Sequence, residues 1–497
     1  MPRVTRSLNT WQHFAATWAL PDDFGGMTSA IFRRSTGFAA AGAPVTVLTF
    51  DDRLDTEYAV ARLRDRGVLH PGVGVLHLWD WLAEHPVHAG GRIDLPFSPL
   101  DPAAPAPAGG RIDEVEFAGV IRRRSLSDAA GVVLQVDRYR PDGSLLASDL
   151  RDSDGVRLSV TVCDPEGSAV RGWTTIWGLY RHWLDLLTDK RRSMLIVDSK
   201  TAARFVRGYR RKHVATVHVV HGAHRGGSGE PGEPLKPSRR EVLENAADFD
   251  AVVVLTERQR ADLVADLGPG VRVAVVPNAG RVEGGTDAPV KRDANRGVIL
   301  ASLTARKRVD HAVLAAAEAG AQLDIYGEGP ERAPLRQHID ALGASARVRL
   351  LGHRPDAALA FRDASFSLLT STSEGAPLVL VESMAAGCLP IAYDIRYGPG
   401  DIIRDSVDGF IVPPGDTEAM AARIREFVAM SERGRRRMRR AAVRSAARYS
   451  ERRVTAQWAA LFEQIAAQRW PAPARRSPAV RVAGRLRRRF ASGVREG

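Results

Sequence analysis

Two carboxylates in the stretch STSEGAPLVLVESMAAGCLP, residues 371–390, have the spacing and neighbours of a ligand site. Glu374 precedes Gly375, Ala376 and Pro377, and Glu382 falls inside the apolar run LVLVESMAA. On one helix, eight positions would leave them about 80° out of line, so they would not share a face. On a loop running into a helix, both can point into one crevice, one toward sugar hydroxyls and the other toward a ribose. The bland alternative makes Glu374 a cap neighbour and Glu382 a solvent-facing residue, but an apolar run is a poor setting for a solvated carboxylate. FSLLTS reads as a buried strand, Pro377 as the first residue of a helix that stops at Gly387, and Leu389 as the start of the next strand. Free amides at a helix start, beyond the carboxyl end of a parallel strand, are where doubly wound sheets take phosphates.

Lys307, in TARKR, reads by itself as a surface cation. His221 and His224, in VVHGAHR, follow an apolar strand, and both a structural and a functional reading are open for them. The pair lacks a clustered carboxylate to complete a metal site, so no metal and no cofactor is expected.

These residues need a scaffold of strands alternating with helices. The first segment reads as strand, loop PDDFGGMT, helix and the β-branched strand APVTVLTF, which implies a parallel sheet. LDPAAPAPAGG is linker-like. Beyond it VVLQVDRY, LLASDLRD, VRLSVTV and SAVRGW are separated by PDGS, SDG and PEG, a hairpin rhythm. Residues 112–173 therefore read as an antiparallel β meander inserted into the first domain, separable from it and available for shape, homo-oligomer contact or acceptor binding. SMLIVDS, HVATVHVVHGAH and DAVVVLT resume the parallel pattern. Arg281–Arg296 reads as a polar linker, and a second α/β set follows. The division is 1–280 for a first domain, 297–430 for a second, 431–470 for basic helices and 471–497 for a basic tail.

The 497 residues suit two such domains, and 44% hydrophobic content supplies their cores. Cys163 and Cys388 offer no disulfide framework, the first residues do not read as a signal peptide, and no run is long enough to span a bilayer. A cytoplasmic protein is expected. The net charge is +13, and ten arginines crowd between Ser431 and Arg453. Either they form a solvated helix face or they meet anionic lipid or a phosphate-rich polymer; without a recognition motif, nucleic acid is not expected as a partner. In the tail, Val482, Leu486 and Phe490 fall at four-residue steps flanked by arginines, the pattern of a weak interfacial helix on the inner face of a membrane.

The paired glutamates, with Ser371, Gly375, Pro390, Gly409 and Asp416 around them, Gly25-Gly26-Met27 near the start and YGEGPE at 326–331, resemble family 4 of the retaining glycosyltransferases. The resemblance covers most of the chain outside the meander and the tail. It implies the GT-B fold, in which two doubly wound Rossmann-like domains face a cleft. It also implies a catalytic set of Glu374, Lys307 and His221, with Glu374 on the donor sugar. Gly25, Gly26, Arg306, Lys307, Gly327, Gly375, Ala376, Pro377, Leu378 and Glu382 would hold the nucleotide-sugar donor, with Glu382 on the ribose and the amides near Pro377 and Leu378 on the diphosphate. The family usually has an arginine five positions before the lysine. Here it is Ser302, so either activity is lowered or Arg306 or Arg308 substitutes. IAYDIRYGPGDII is most similar to the branch that glucosylates poly(glycerol-phosphate) and related teichoic-acid polymers. The implied activity is transfer of a hexose from UDP-glucose or UDP-N-acetylglucosamine to a polymeric or lipid-linked acceptor.

Overall fold

The computed structural model describes all residues except 1–7, 22–24, 88–93, 102–105, 107–108, 228, 283–291 and 472–497. Two parallel sheets, each of apolar strands flanked by helices, form two α/β domains. The first contains β1 (Gln12–Ala16), β2 (Val45–Thr49) and β3 (Val73–His77) on one side, and β10 (Ser193–Val197), β11 (Val214–Val219), β12 (Ala251–Val254) and β13 (Val273–Val275) on the other. Its order, β13-β12-β11-β10-β1-β2-β3, places a topological switch between β1 and β10. The second contains β14 (Arg296–Leu300), β15 (Gln322–Tyr326), β16 (Val348–Gly352), β17 (Phe366–Leu369), β18 (Leu389–Tyr393) and β19 (Phe410–Val412). Its order, β16-β15-β14-β17-β18-β19, has its switch between β14 and β17. Strands such as β10, β11 and β12 are buried at every position, as strands covered on both faces must be. Ligands bind such sheets outside the carboxyl ends of the strands at the switch, so each domain presents one edge to a shared cleft.

The antiparallel meander runs from β4 (Arg111–Phe117) through β5 (Val120–Ser127), β6 (Val133–Tyr139), β7 (Leu145–Arg151) and β8 (Arg157–Cys163) to β9 (Ala169–Trp173), with neighbours in sequence paired throughout. It is not a detachable module. Leu146, Ala147, Val160 and Val162 from its inner face share one core cluster with Phe50, Leu179, Trp183 and Phe205 of the first domain. Arg138 also stacks over Trp79 at 4.1 Å and pairs with Asp52 at 2.8 Å. Removing it would expose that core, so the separability expected from its turn rhythm is corrected by the packing.

The C-terminal helices divide between the domains. Glu432–Ala446 packs Met438, Ala442 and Ala446 into the second domain's core. Glu451–Arg469 instead returns to the first domain, where Val454, Trp458, Phe462 and Ile465 form an apolar stripe against Ile31, Phe38 and Ala15. Each such side chain contributes roughly 1.5–3 kcal/mol by burial. Arg469 then pairs with Asp250 at 2.8 Å and the Trp470 indole donates to the Lys212 carbonyl at 2.7 Å, seating the end of the helix. The interfacial stripe Val482, Leu486 and Phe490 lies outside the described residues, as does most of the linker at 281–296.

Candidate active site

Glu374 follows β17 on a loop at the switch of the second sheet, and its carboxylate accepts from the Lys307 ammonium at 2.6 Å and from Arg306 at 3.0 Å. Burial alone would raise this carboxyl, but Lys307 and Arg306 outweigh it and hold the group below the usual carboxylate range. Hydrogen bonds lock the two loops together: the Thr372 amide donates to the Arg306 carbonyl at 2.9 Å, and the Thr370 hydroxyl to the Lys307 carbonyl at 3.0 Å. Of the two arginines that could replace the one missing at Ser302, Arg306 therefore stands in this cluster. Arg308 turns toward Gly415, and Ser302 itself is exposed.

At Gly375 the two domains approach each other closely. A β-carbon there would run into the His221 carbonyl and come within 2.9 Å of the Gly222 α-carbon, so a larger residue would force the cleft apart. Pro377 is the N-cap of the helix Leu378–Ala385, which starts one position later than the sequence implied. Its extended backbone directs the amides of Leu378 and Val379 forward. Neither finds an acceptor among the described residues, and they stand beyond the carboxyl end of β17, after the loop whose Glu374 holds Lys307. Ala376 packs on the first domain's core. Gly327, at φ 153°, serves a close approach: a β-carbon would collide with the Ala301 carbonyl, so it holds the loop after β15 against the one carrying Lys307.

From the first domain, Gly25 caps the helix Gly26–Ala40, and among the described residues nothing lies within 4 Å of a β-carbon added at either glycine. Two arginines of that helix were not singled out from the sequence. Arg33 crosses to Glu382 at 2.8 Å, with both side chains about one-fifth exposed. Arg34 grips buried Asp198 through two bonds, at 2.8 and 2.6 Å. Asp198 also pairs with His221 Nε2 at 2.7 Å. Burial works against the Asp198 charge, but Arg34 and His221 prevail and drive its pKa far down. The place of Asp198, directly beyond the apolar run SMLIV, was a readable signal. Arg33 and Arg34 sit in a helical pattern that carries no such mark.

His224 is held elsewhere. Its Nε2 meets Asp266 at 3.1 Å, and its ring stacks on Tyr397 at 5.5 Å and 7°. Around it Arg396 bridges to Asp262 at 2.7 Å, and the Arg258 amide donates to Asp401 at 3.1 Å, so the two domains are tied by charge as well as by packing. The two histidines thus belong to separate pairs. No group of three or more His, Cys, Asp or Glu among the described residues could hold a metal ion.

Residues 124–279 match the family model for the glycosyl transferase 4-like domain, and residues 288–445 match that for glycosyl transferases group 1. The chain belongs to these glycosyltransferases. It is 36% identical over 235 residues to an exopolysaccharide phosphotransferase of Streptomyces coelicolor, covering 46% of this chain and 25% of that protein. It is 26% identical over 199 residues to a poly(ribitol-phosphate) α-N-acetylglucosaminyltransferase of Staphylococcus aureus, covering 39% of this chain and 40% of the relative. The chain thus spans less than half the length of these curated relatives. Among solved structures, a TarM mutant of S. aureus in complex with fondaparinux, α-GlcNAc-glycerol and UDP superposes with a TM-score of 0.69 at 18% identity, over 91% of this chain and 99% of that one. That likeness establishes the GT-B fold: two Rossmann-like domains facing a cleft, with an antiparallel sheet in the first.

Proposed function

We propose that this glycosyltransferase moves a hexose, with retention, from UDP-glucose or UDP-N-acetylglucosamine to a cell-envelope polymer of the poly(glycerol-phosphate) type. The carrying observation is the cluster of Glu374, Lys307 and Arg306 beside the open amides of Leu378 and Val379 at the second sheet's switch, with the His221 loop against Gly375. In this reading the diphosphate lies on Lys307 and those amides, Glu382 takes the ribose after releasing Arg33, and Glu374 meets the sugar hydroxyls. The bond from the anomeric carbon to the diphosphate oxygen breaks as the acceptor hydroxyl attacks the same face. The hydroxyl proton passes to a departing phosphate oxygen, and Lys307 and Arg306 stabilise the charge that collects there. Neither a metal nor another cofactor has a role. The poly(ribitol-phosphate) and UDP named for relatives support this donor and acceptor class.

Release of UDP from a panel of nucleotide sugars tests the donor, and mass spectrometry of the polymer afterwards tests transfer. Absence of release from every nucleotide sugar would leave a non-catalytic binder, the reading that exposed Ser302 favours. We also place the enzyme at the inner face of the membrane. No helix of the described residues is long and apolar enough to cross it. Arg433, Arg436, Arg437, Arg440 and Arg444 are exposed along one side of the helix Glu432–Ala446, opposite buried Met438 and Ala442. A homo-oligomer through the meander's outer face, where Leu158 of β8 is 39% exposed, belongs to the same proposal.

A further inference from the structure

We infer that the first-domain wall of the cleft carries a phosphate site of its own, made by Lys200, Lys236 and Arg239, which takes the phosphodiester of an anionic acceptor chain. This rests on the donor reading above, in which the diphosphate belongs to Lys307 and the amides of the second domain.

The three cations reach one place by separate routes. Lys200 opens the helix Lys200–Val206 just beyond β10, after Asp198 and Ser199. The segment after β11 folds back on itself, so that the Lys236 amide donates to the His224 carbonyl at 2.8 Å. Arg239 sits one turn into the helix Pro237–Glu244, and its guanidinium lies 3.3 Å from where a β-carbon on Gly222 would be. The other side of Gly222 faces Gly375. A single glycine therefore stands between the Arg239 guanidinium and the loop that would hold the donor.

Charge distinguishes these residues from the other cations of the cleft. Arg33 has Glu382, Arg34 has Asp198, Lys307 and Arg306 have Glu374, Arg225 has Asp266, Arg258 has Asp394, and Arg396 has Asp262. Among the described residues, Lys200, Lys236 and Arg239 have no carboxylate and no side-chain acceptor. Burial, reinforced by Arg239, Arg306 and Lys200, lowers the Lys236 ammonium below its ordinary value, and burial does the same to Arg239. Lys236 and Arg239 are half-buried, with exposed Lys200 at their edge; cations that repel one another and lack acceptors are costly in the empty protein, and an arriving phosphate offsets that cost. A neutral glycan would not.

The test uses the whole chain and a short poly(glycerol-phosphate) oligomer, titrated by calorimetry without donor. Lys236→Gln combined with Arg239→Gln should weaken oligomer binding by about tenfold or more, and raising the salt should narrow the gap. Lys236→Arg in the otherwise native chain should keep most of the affinity, which separates lost charge from lost fold. If the double variant does not fold, each single variant reads the same loss at smaller size. Unaltered oligomer affinity overturns the site. A fall in UDP affinity with oligomer affinity intact also overturns it, by making the three cations part of the donor's diphosphate site. An equal loss from Arg436→Gln with Arg437→Gln, and none from the cleft pair, would place the polymer on the outer helix instead. If no nucleotide sugar is turned over but the cleft variants still lose the oligomer, the anion site stands and the proposed transfer fails.

Discussion

Asp198→Asn tests the buried centre of the cleft most directly. The carboxylate has no exposed surface, and it accepts two bonds from Arg34, whose side chain is 6% exposed, and one from His221. The amide keeps the shape but removes the charge. It leaves a buried guanidinium facing a neutral group, a loss worth roughly 3–5 kcal/mol for a broken buried pair. At roughly 2–4 °C per kcal/mol, the first domain's melting transition should fall by about 6–20 °C. The folded Asp198 pKa is depressed below the unfolded value, so its contribution is fully present above the ordinary aspartate range near pH 4. It is lost only as pH falls through the lower folded value. The gap between wild type and variant should therefore be constant from about pH 5 to 8 and close in stronger acid. Adding Arg34→Met should recover part of the loss, because the stranded cation is gone. Thermal and urea unfolding across that pH range measure this. A variant within about 0.5 kcal/mol of wild type at pH 7, or a gap that widens in acid, would refute the account of Asp198 as a charged keystone.

Glu382→Ala should weaken UDP binding by roughly 1.5–3 kcal/mol, since a carboxylate accepting from ribose hydroxyls is a charge-assisted contact; calorimetry with UDP alone reads it, and unchanged affinity would leave Glu382 as no more than the partner of Arg33. Glu374→Gln should lower turnover well beyond its effect on UDP affinity, because in the proposed reading it meets the sugar, and it keeps Lys307 and Arg306 in place. Loss of nucleotide binding with turnover per bound donor intact would reverse the two glutamates. Truncation after Pro471, which spares the anchors Arg469 and Trp470 and the arginine face of the helix Glu432–Ala446, should weaken binding to anionic vesicles while keeping activity on soluble acceptor. Equal vesicle binding by both forms at moderate salt would remove the tail as an anchor.

Much of this architecture is local in origin. β-branched runs such as SMLIV and AVVV, broken by helical periods, make parallel strands wherever they occur. PDGS, SDG and PEG make hairpin turns on their own account, and a Gly-Ala-Pro step after a buried strand starts a helix at the strand's carboxyl end. Glu374 and Glu382 stand at such punctuation, whereas Lys307 stands out only through its resemblance to the lysine of a known family. The rest depends on residues far apart in sequence. Arg33 finds Glu382 across 349 positions and Arg34 finds Asp198 across 164, and nothing in a helical arginine pair specifies either partner. The turn rhythm that made the meander look detachable reports only its hydrogen-bonded edges, whereas burial of Leu146 and Val160 depends on what the first domain lays against them. The return of the last helix to the first domain is likewise invisible in its own periodicity. An apolar stripe states that a face must be buried, and only the assembled domains decide against what.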